Sequence, residues 1–354
     1  MNCVPFSYKI NRYRCHRVKN MPANLKPLAD FLQGKTTILL TTHARADGDA
    51  IGSCLAMLEL LEKLDKKVEI HLPTPYSHRY VFMDPDKIIR VYGQDADPNK
   101  NWDGLIVLDT GTWSQLAEMG NWIKQQFVPT CVIDHHVTQD YIGNPLILDV
   151  SAEATGRLVY ECFTYFGITP TASAANQMFI AISTDTGWFR HANTTASSFS
   201  LAGDLIKLGA TPTLLYDALF DSNSLAKQKL AGTMLSRCQT RQGGKLVYSW
   251  LTQTDFNNAN ARTSDAEDLI VYLRSTSCAD IVIFFLEINE STTRVNFRSR
   301  TGADVCQIAQ QFGGGGHKLA AGATVLLPIN QTIEKILVLG EALVKKSGNR
   351  ENLS

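Results

Sequence analysis

Three aliphatic runs each lead into side chains that ligate metals. Ile38-Leu39-Leu40 precedes His43, Asp47 and Asp49; Leu105-Ile106-Val107-Leu108 delivers Asp109; Cys131-Val132-Ile133 delivers Asp134, His135 and His136. Runs this short and apolar are the pattern of strands buried on both faces, and the longer segments between them carry helical periodicity. Such alternation predicts an α/β layer with a mainly parallel sheet, where ligands bind beyond the carboxyl ends of the strands. Strands are expected over 37–42, 67–71, 104–108 and 130–133. Helices are expected over 50–64, where Ile51, Leu55, Leu58 and Leu61 recur, and over 174–183, just ahead of Asp185.

A chain of 354 residues, 44% hydrophobic, exceeds what one core of roughly 250–300 residues absorbs, so two domains are expected. The reading places a basic tail at 1–20, a Rossmann-like first domain at 21–212 and a linker with a helical component at 213–229. A smaller α/β domain follows at 230–346, with a tail at 347–354 and the active site in the cleft between the domains. Second-domain strands are expected over 245–251, 279–286 and 293–298, and helices over 264–274 and 303–312. Lys plus Arg equals Asp plus Glu at 34 each, which gives no overall attraction to duplex nucleic acid or to a membrane. The longest apolar stretch, Ile281 to Leu286, is far short of the ~20 residues of a spanning helix. Eight cysteines without a CxxC pair point to reduced thiols and a cytoplasmic location. Residues 1–20 hold Lys9, Arg12, Arg14, Arg17 and Lys19 with no acid and no apolar core of a secretory signal. A disordered segment, an organelle transit peptide and a start at Met21 are the readings open for this tail.

Asp47 and Asp49 flank Gly48, a spacing read as a turn that presents two carboxylates in divergent directions. Two dications ~4 Å apart repel by about 4 kcal/mol even in water-like dielectric, so a two-metal site needs several carboxylates. Asp47, Asp49, Asp109 and Asp185 formally balance two M²⁺. Oxygen-rich ligation with some imidazole and no thiolate favours Mn²⁺, with Mg²⁺ or Co²⁺ as substitutes. Two such ions lower the pKa of bound water and clamp the attacking and leaving oxygens of a phosphoryl displacement. Each residue alone has a plainer reading, since an Asp after a strand commonly caps a helix. The recurrence at three strand ends is what favours the metal site.

These motifs resemble those of the DHH phosphoesterase superfamily. His43-Ala-Arg-Ala-Asp47-Gly-Asp49-Ala-Ile-Gly52-Ser53, Leu108-Asp109-Thr-Gly, Asp134-His135-His136 and Thr184-Asp185-Thr-Gly occur in the family's order. Ala46 stands where many members have proline. The resemblance implies that His43 and Asp47 bind one Mn²⁺ and that Asp49, His135 and Asp185 bind a second, with Asp109 bridging them. It implies further that His136 faces the scissile phosphate and that Asp134 orients the histidines.

The second half resembles the DHH-associated domain through Gly313-Gly314-Gly315-Gly316-His317. Its glycines are expected to turn backbone amides into an anion nest, assisted by Arg298, Ser299 and Arg300. Arg190 is a further candidate for substrate contact. Glu153-Ala-Thr-Gly-Arg157 is read as a helix opening, with Glu153 at its positive end.

Within the superfamily, the two-domain layout most resembles the oligoribonuclease and pAp phosphatase group, the nanoRNases. The implied substrates are short single-stranded RNA of about 2–5 nucleotides, cut to mononucleotides, and 3′-phosphoadenosine 5′-phosphate (pAp), cut to AMP and phosphate; a homodimer is a family-level expectation. The alternatives are a soluble phosphodiesterase for cyclic or linear dinucleotides and a non-catalytic nucleotide-binding regulator. The intact acidic and imidazole set argues against the regulator.

Overall fold

A computed structural model describes residues 24–96, 101–266, 268–300 and 302–351, with the backbone alone for 347–351. The basic tail at 1–20 lies outside the described residues. The chain divides into two compact units between Asp221 and Ser222.

The first unit is built on strands β1 (Thr37–Thr41), β2 (Lys67–Leu72), β3 (Ile89–Val91), β4 (Gly104–Leu108), β5 (Thr130–Asp134) and β6 (Leu146–Leu148). They form one sheet in the order β3-β2-β1-β4-β5-β6, with every neighbouring pair parallel. The helices in chain order are α1 (Lys26–Leu32), α2 (Gly48–Lys63), α3 (Ala117–Gln126), α4 (Thr155–Tyr165), α5 (Ala172–Asp185) and α6 (Ala196–Lys207). Side-chain alternation splits the central strands between two cores. Ile38, Leu40, Ile106, Leu108 and Ile133 pack with α2, α4 and α5, whereas Leu39, Leu105, Val107 and Val132 pack with Met119 and Ile123 of α3. The order reverses between β1 and β4, so the chain leaves these adjacent strands in opposite directions. A crevice opens where the loops diverge.

The helix α2 is buried over most of its circumference and lies close against α5. Gly52 sets that approach: a Cβ there would sit 2.4 Å from the Gln177 carbonyl oxygen. Asp49 and Asp185, on the facing helices, are held at a fixed distance by this packing.

In the second unit, β7 (Gln239–Arg241), β8 (Leu246–Leu251), β9 (Ile281–Asn289), β10 (Thr292–Ser299), β11 (Gly315–His317) and β12 (Ala320–Val325) order as β11-β12-β10-β9-β8-β7. The β8/β9 pair is parallel and the other pairs are antiparallel. One face packs on the helix Ile329–Glu351; the other is covered over β8 and β9 by helices Leu225–Ser236, Gln253–Ala259 and Ile270–Arg274.

Several expectations need correction. The three-residue strands β3 and β6 at the sheet edges have too little pattern to be recognised in sequence. The helix expected over 264–274 is two short pieces, Thr263–Ala266 and Ile270–Arg274, with left-handed Asp268 (φ 65°) between them. The helical component expected in the linker 213–229 takes up most of it, and the division between units falls inside it. Residues 347–351, read as tail, continue the last helix. Among the described residues no helix is long and apolar enough to cross a membrane.

Gly52→Ala must force α2 and α5 apart, because the obstacle is backbone. Overpacking of this kind costs about 1–3 kcal/mol, so a Tm lower by roughly 2–10 °C is expected. Thermal unfolding followed by circular dichroism measures it, and an unchanged Tm would mean that another contact sets the helix spacing.

Candidate metal centre

The candidate ligands converge at the carboxyl ends of β1, β4 and β5. Asp47 is the N-cap of α2, its Oδ1 accepting from the amides of Asp49 and Ala50, both at 3.1 Å. Asp49 belongs to the first helical turn and is buried. The two carboxylates therefore diverge across a helix cap rather than the free turn expected from sequence, and the capping and metal readings of Asp47 coexist. Asp109 follows β4 in a left-handed conformation (φ 61°) and is 3% exposed. A backbone of this kind costs on the order of 1–3 kcal/mol unless its surroundings impose it. Asp134 ends β5 and Asp185 ends α5.

His43 Nε2 lies 3.5 Å from Asp109 Oδ2 and 3.9 Å from Asp47 Oδ1. His135 Nε2 lies 3.5 Å from Asp109 Oδ1, 3.7 Å from Asp185 Oδ2 and 3.9 Å from Asp49 Oδ2. Within each of the groups His43/Asp47/Asp109 and Asp49/His135/Asp185, the ligand atoms lie within 4.8 Å of one another. Such separations are long for hydrogen bonds. They are ordinary for ligands of a common ion, since two atoms each ~2.1 Å from a cation sit roughly 3–4 Å apart.

Ring orientation agrees. His43 Nδ1 lies 3.0 Å from the Ala44 carbonyl and His135 Nδ1 lies 3.1 Å from that of Ala152, so each Nδ1–H donates to backbone and each Nε2 is turned toward the carboxylates. His135 Nε2 is buried with no hydrogen-bond partner among the described residues. An unpaired buried acceptor costs about 1–3 kcal/mol, and a cation at this position would satisfy it. The oxygen and imidazole donors fit a hard or borderline dication.

The chain's own charges leave the cluster short of positive charge. Burial and the neighbouring carboxylates push Asp49 well above the usual range; burial and Asp109 raise Asp47. Burial, together with Asp109 and Asp47, carries Asp185 to about 6 against the pull of His135 and His136. Burial by itself would lower His43, but the nearby Asp109 and Asp47 carboxylates prevail and lift it to about 9.

Comparison with known proteins extends these observations across the chain. Residues 37–182 match the DHH family, N-terminal domain, and residues 243–346 match the DHHA1 domain. The chain is 32% identical to the bifunctional oligoribonuclease and PAP phosphatase NrnA of Thermus thermophilus, over 85% of this chain and 88% of that protein. The chain belongs to the DHH family. It is 28% identical to the protein of the same name from Bacillus subtilis, over 82% of this chain and 89% of that one. An exopolyphosphatase-related protein from Bacteroides fragilis shares the fold, with a TM-score of 0.82 at 21% identity over 92% of this chain and 96% of that chain. With DHH relatives of this kind along most of its length, this chain is a hydrolase of the DHH family.

Several residues that support the DHH site escaped the sequence reading. At the start of α4, the amides of Thr155 and Gly156 donate to the two oxygens of Asp49 at 2.7 and 2.9 Å, and Thr155 Oγ1 donates to Asp109 Oδ1 at 2.9 Å. The carboxylate served by these amides is thus Asp49. Glu153, expected in that role, instead forms a buried pair with Arg157, Nη2 to Oε1 at 2.6 Å. Ser53 Oγ also donates to Asp49, at 3.0 Å, one turn along α2. Asp134, fully buried, accepts from the His135 and His136 amides and from His136 Nδ1 at 2.8 Å. Burial alone would raise its pKa, but the His136 ring and its other donors hold it below the ordinary value.

The DHHA1 candidates are arranged differently from expectation. Gly313 (φ 71°) closes the helix Cys306–Gln310, and the Gly313 and Gly314 amides donate back to the Gln310 and Ala309 carbonyls. Gly315, Gly316 and His317 form β11, paired with β12. The glycines build a helix cap and an edge strand rather than the expected anion nest: the Gly313 and Gly314 amides are committed to the cap, and Gly315 and Gly316 pair with β12. Register places His317 opposite Ala320, and Ala320 opposite Arg298, so His317 and Arg298 share a sheet face across one small residue. Ser299 belongs to the opposite, core-facing alternation with Phe297; it is 7% exposed, and its Oγ has no hydrogen-bond partner among the described residues. Arg300 Nη1 donates to the Thr276 and Ser277 carbonyls, and Arg190 Nε, in an exposed turn, to the Gly187 carbonyl.

A dication must displace protons here, and the direction follows from the shifts. Between its ordinary value of 3.8 and about 6, folded Asp185 holds a proton that the unfolded chain has released, so metal-free stability falls as pH rises through that window. His43 adds a second loss between 6.5 and about 9. The Tm gain on adding Mn²⁺ is therefore expected to be larger at about pH 8 than at about pH 5.5. Scanning fluorimetry at both values tests this, and a pH-independent gain would contradict a site made of these groups.

Proposed function

We propose that this DHH hydrolase is a Mn²⁺-dependent enzyme that cuts short oligoribonucleotides of about 2–5 nucleotides to mononucleotides, and pAp to AMP and phosphate. The observation that carries this reading is the pair of ligand groups on either side of one buried carboxylate, Asp109. His43, Asp47 and Asp109 would hold one ion; Asp49, His135 and Asp185, with Asp109 shared, would hold the other. When bound, two dications supply a water nucleophile at neutral pH and charge stabilisation for an in-line phosphoryl displacement.

The chain's own groups do the remainder. Asp134 fixes the His136 ring through Nδ1, leaving Nε2 to face a phosphate oxygen. His136 is about half exposed and is held above its ordinary pKa, first by the Asp134 hydrogen bond, so it offers a proton or a charged hydrogen bond to the leaving group. The amides of α4 and the hydroxyls of Ser53 and Thr155 keep Asp49 and Asp109 oriented while leaving their remaining lone pairs free. In the second unit, Arg298 and His317 share a sheet face that suits a terminal nucleotide, with the phosphate toward the guanidinium. The curated relatives from Thermus thermophilus and Bacillus subtilis are named for both activities, which supports the pairing of substrates. A formally neutral chain is better matched to short oligomers than to long polymers, whose binding draws on extended basic surface.

The test is hydrolysis of pAp and of a labelled RNA ladder, from two to about twenty-four nucleotides, with Mn²⁺. AMP from pAp and mononucleotides from only the shortest RNAs are expected, with complete loss on chelation. Asp109→Ala should lower kcat by more than about a hundredfold, the upper end of what losing a residue that merely orients a ligand costs. Turnover of cyclic or linear dinucleotides with pAp and longer short RNA untouched would replace this reading.

A further inference from the structure

The groups that hold Asp134 are unevenly divided between its two oxygens. Oδ1 receives the amides of His135 and His136 and the His136 ring, whereas the hydrogen bond to Oδ2 among the described residues comes from Gln139 Nε2, at 2.5 Å. The same nitrogen donates to the main-chain carbonyl of His136 at 3.0 Å. Both partners are acceptors only, so the carboxamide can be oriented in just one way, with both amide protons engaged.

Nearby backbone pins the carboxamide in place. It rests on the Cα of Gly111, two residues beyond Asp109: a Cβ at that position would come 1.8 Å from Gln139 Oε1 and 2.5 Å from Nε2. The next residue secures the same two loops, the Asp140 amide donating to the Gly111 carbonyl at 2.7 Å and Asp140 Oδ2 accepting from the Trp113 amide at 2.9 Å. The loop after β4 and the loop after β5 are thus joined through Gln139 and Asp140.

His136 needs such a brace more than His135 does. Its side chain is 49% exposed and its ring lies edge-on to His135 with centroids 4.4 Å apart, so little packing holds it. Its ring orientation depends on the Nδ1 to Asp134 bond. That bond in turn depends on how the fully buried Asp134 carboxylate is rotated, and a buried carboxylate oxygen deprived of its donor is costly enough to drive rotation or water entry.

We propose that Gln139 is the positioning residue for His136: by donating to Asp134 Oδ2 and to the His136 carbonyl, it keeps Nδ1 bound to Asp134 and Nε2 turned toward the reacting phosphate. The inference rests on the role given to His136 above. Gln139 donates to none of the proposed ion ligands' donor atoms; it acts on turnover through Asp134 and the His136 ring that Asp134 holds.

Gln139→Met keeps the length of the side chain and removes both donors. Its kcat for pAp should fall roughly ten- to a hundredfold, with KM and the Mn²⁺-induced Tm gain unchanged. In a His136→Ala background the same substitution should have no further effect on kcat, since two residues acting as one unit are not additive. In metal-free protein, long-range ¹H–¹⁵N spectra should show one His136 tautomer in the wild type and a mixture in Gln139→Met. Gln139→Leu, similar in volume and without a donor, should give the same signature and replaces the Met variant if that one does not fold. An unaltered kcat, an equal loss in both backgrounds, or weakened Mn²⁺ binding would overturn the proposal. An inactive wild type would instead overturn the functional reading itself.

Discussion

Like charge gathered at one point is the constraint on which this structure turns. Asp47, Asp49, Asp109 and Asp185 approach a common centre, and two imidazoles enter with Nε2 foremost. Burial and mutual repulsion raise three of these carboxylates. A folded chain keeps such a cluster only where something else pays the cost, and here the cores on both sides of a parallel sheet do so. The strands β1, β4 and β5, buried on both faces, fix where their carboxyl ends lie, and the reversal between β1 and β4 opens the space where the charges meet.

Hydrogen bonds then sort the carboxylates by role. Asp134 is surrounded by donors and held ionised, which suits an anchor for a ring. Asp49 receives two helix-start amides and a hydroxyl yet stays high, because burial and three carboxylate neighbours outweigh them. Dications would resolve that imbalance, and the buried nitrogen of His135, without a partner among the described residues, marks a point where one would bind. The hydrolase chemistry of the family and the electrostatics of the fold are in this sense the same fact.

The second unit solves a different problem. Its glycine run reads in sequence as a phosphate cradle, but the amides belong to a helix cap and an edge strand. The lack of side chains at Gly314 and Gly316 serves close strand approach, since a Cβ at either would meet carbonyl oxygens of β12 at 2.2 or 2.5 Å. Register sets His317 and Arg298 on the same side of the sheet across Ala320.

Much of this was legible in the residues. Strand runs that end in His and Asp located the parallel sheet and the carboxyl-end cluster together, because burial demands continuous apolar strands and the loops beyond them are where polar ligands can stand. The spacing His43-x₃-Asp47-x-Asp49 reads as a turn, and the structure makes Asp47 the N-cap of the helix that follows. What sequence left undecided is whatever depends on partners distant in the chain. Thr155 and Gly156 meet Asp49 more than a hundred residues away, Gly52 matters because Gln177 packs on it, and Gln139 reaches Asp134 only because Gly111 leaves room. Local pattern reports periodicity and residue chemistry. Which carboxylate receives a helix's amides, and which amides of a glycine run are already spent, are set only when separate segments pack against one another.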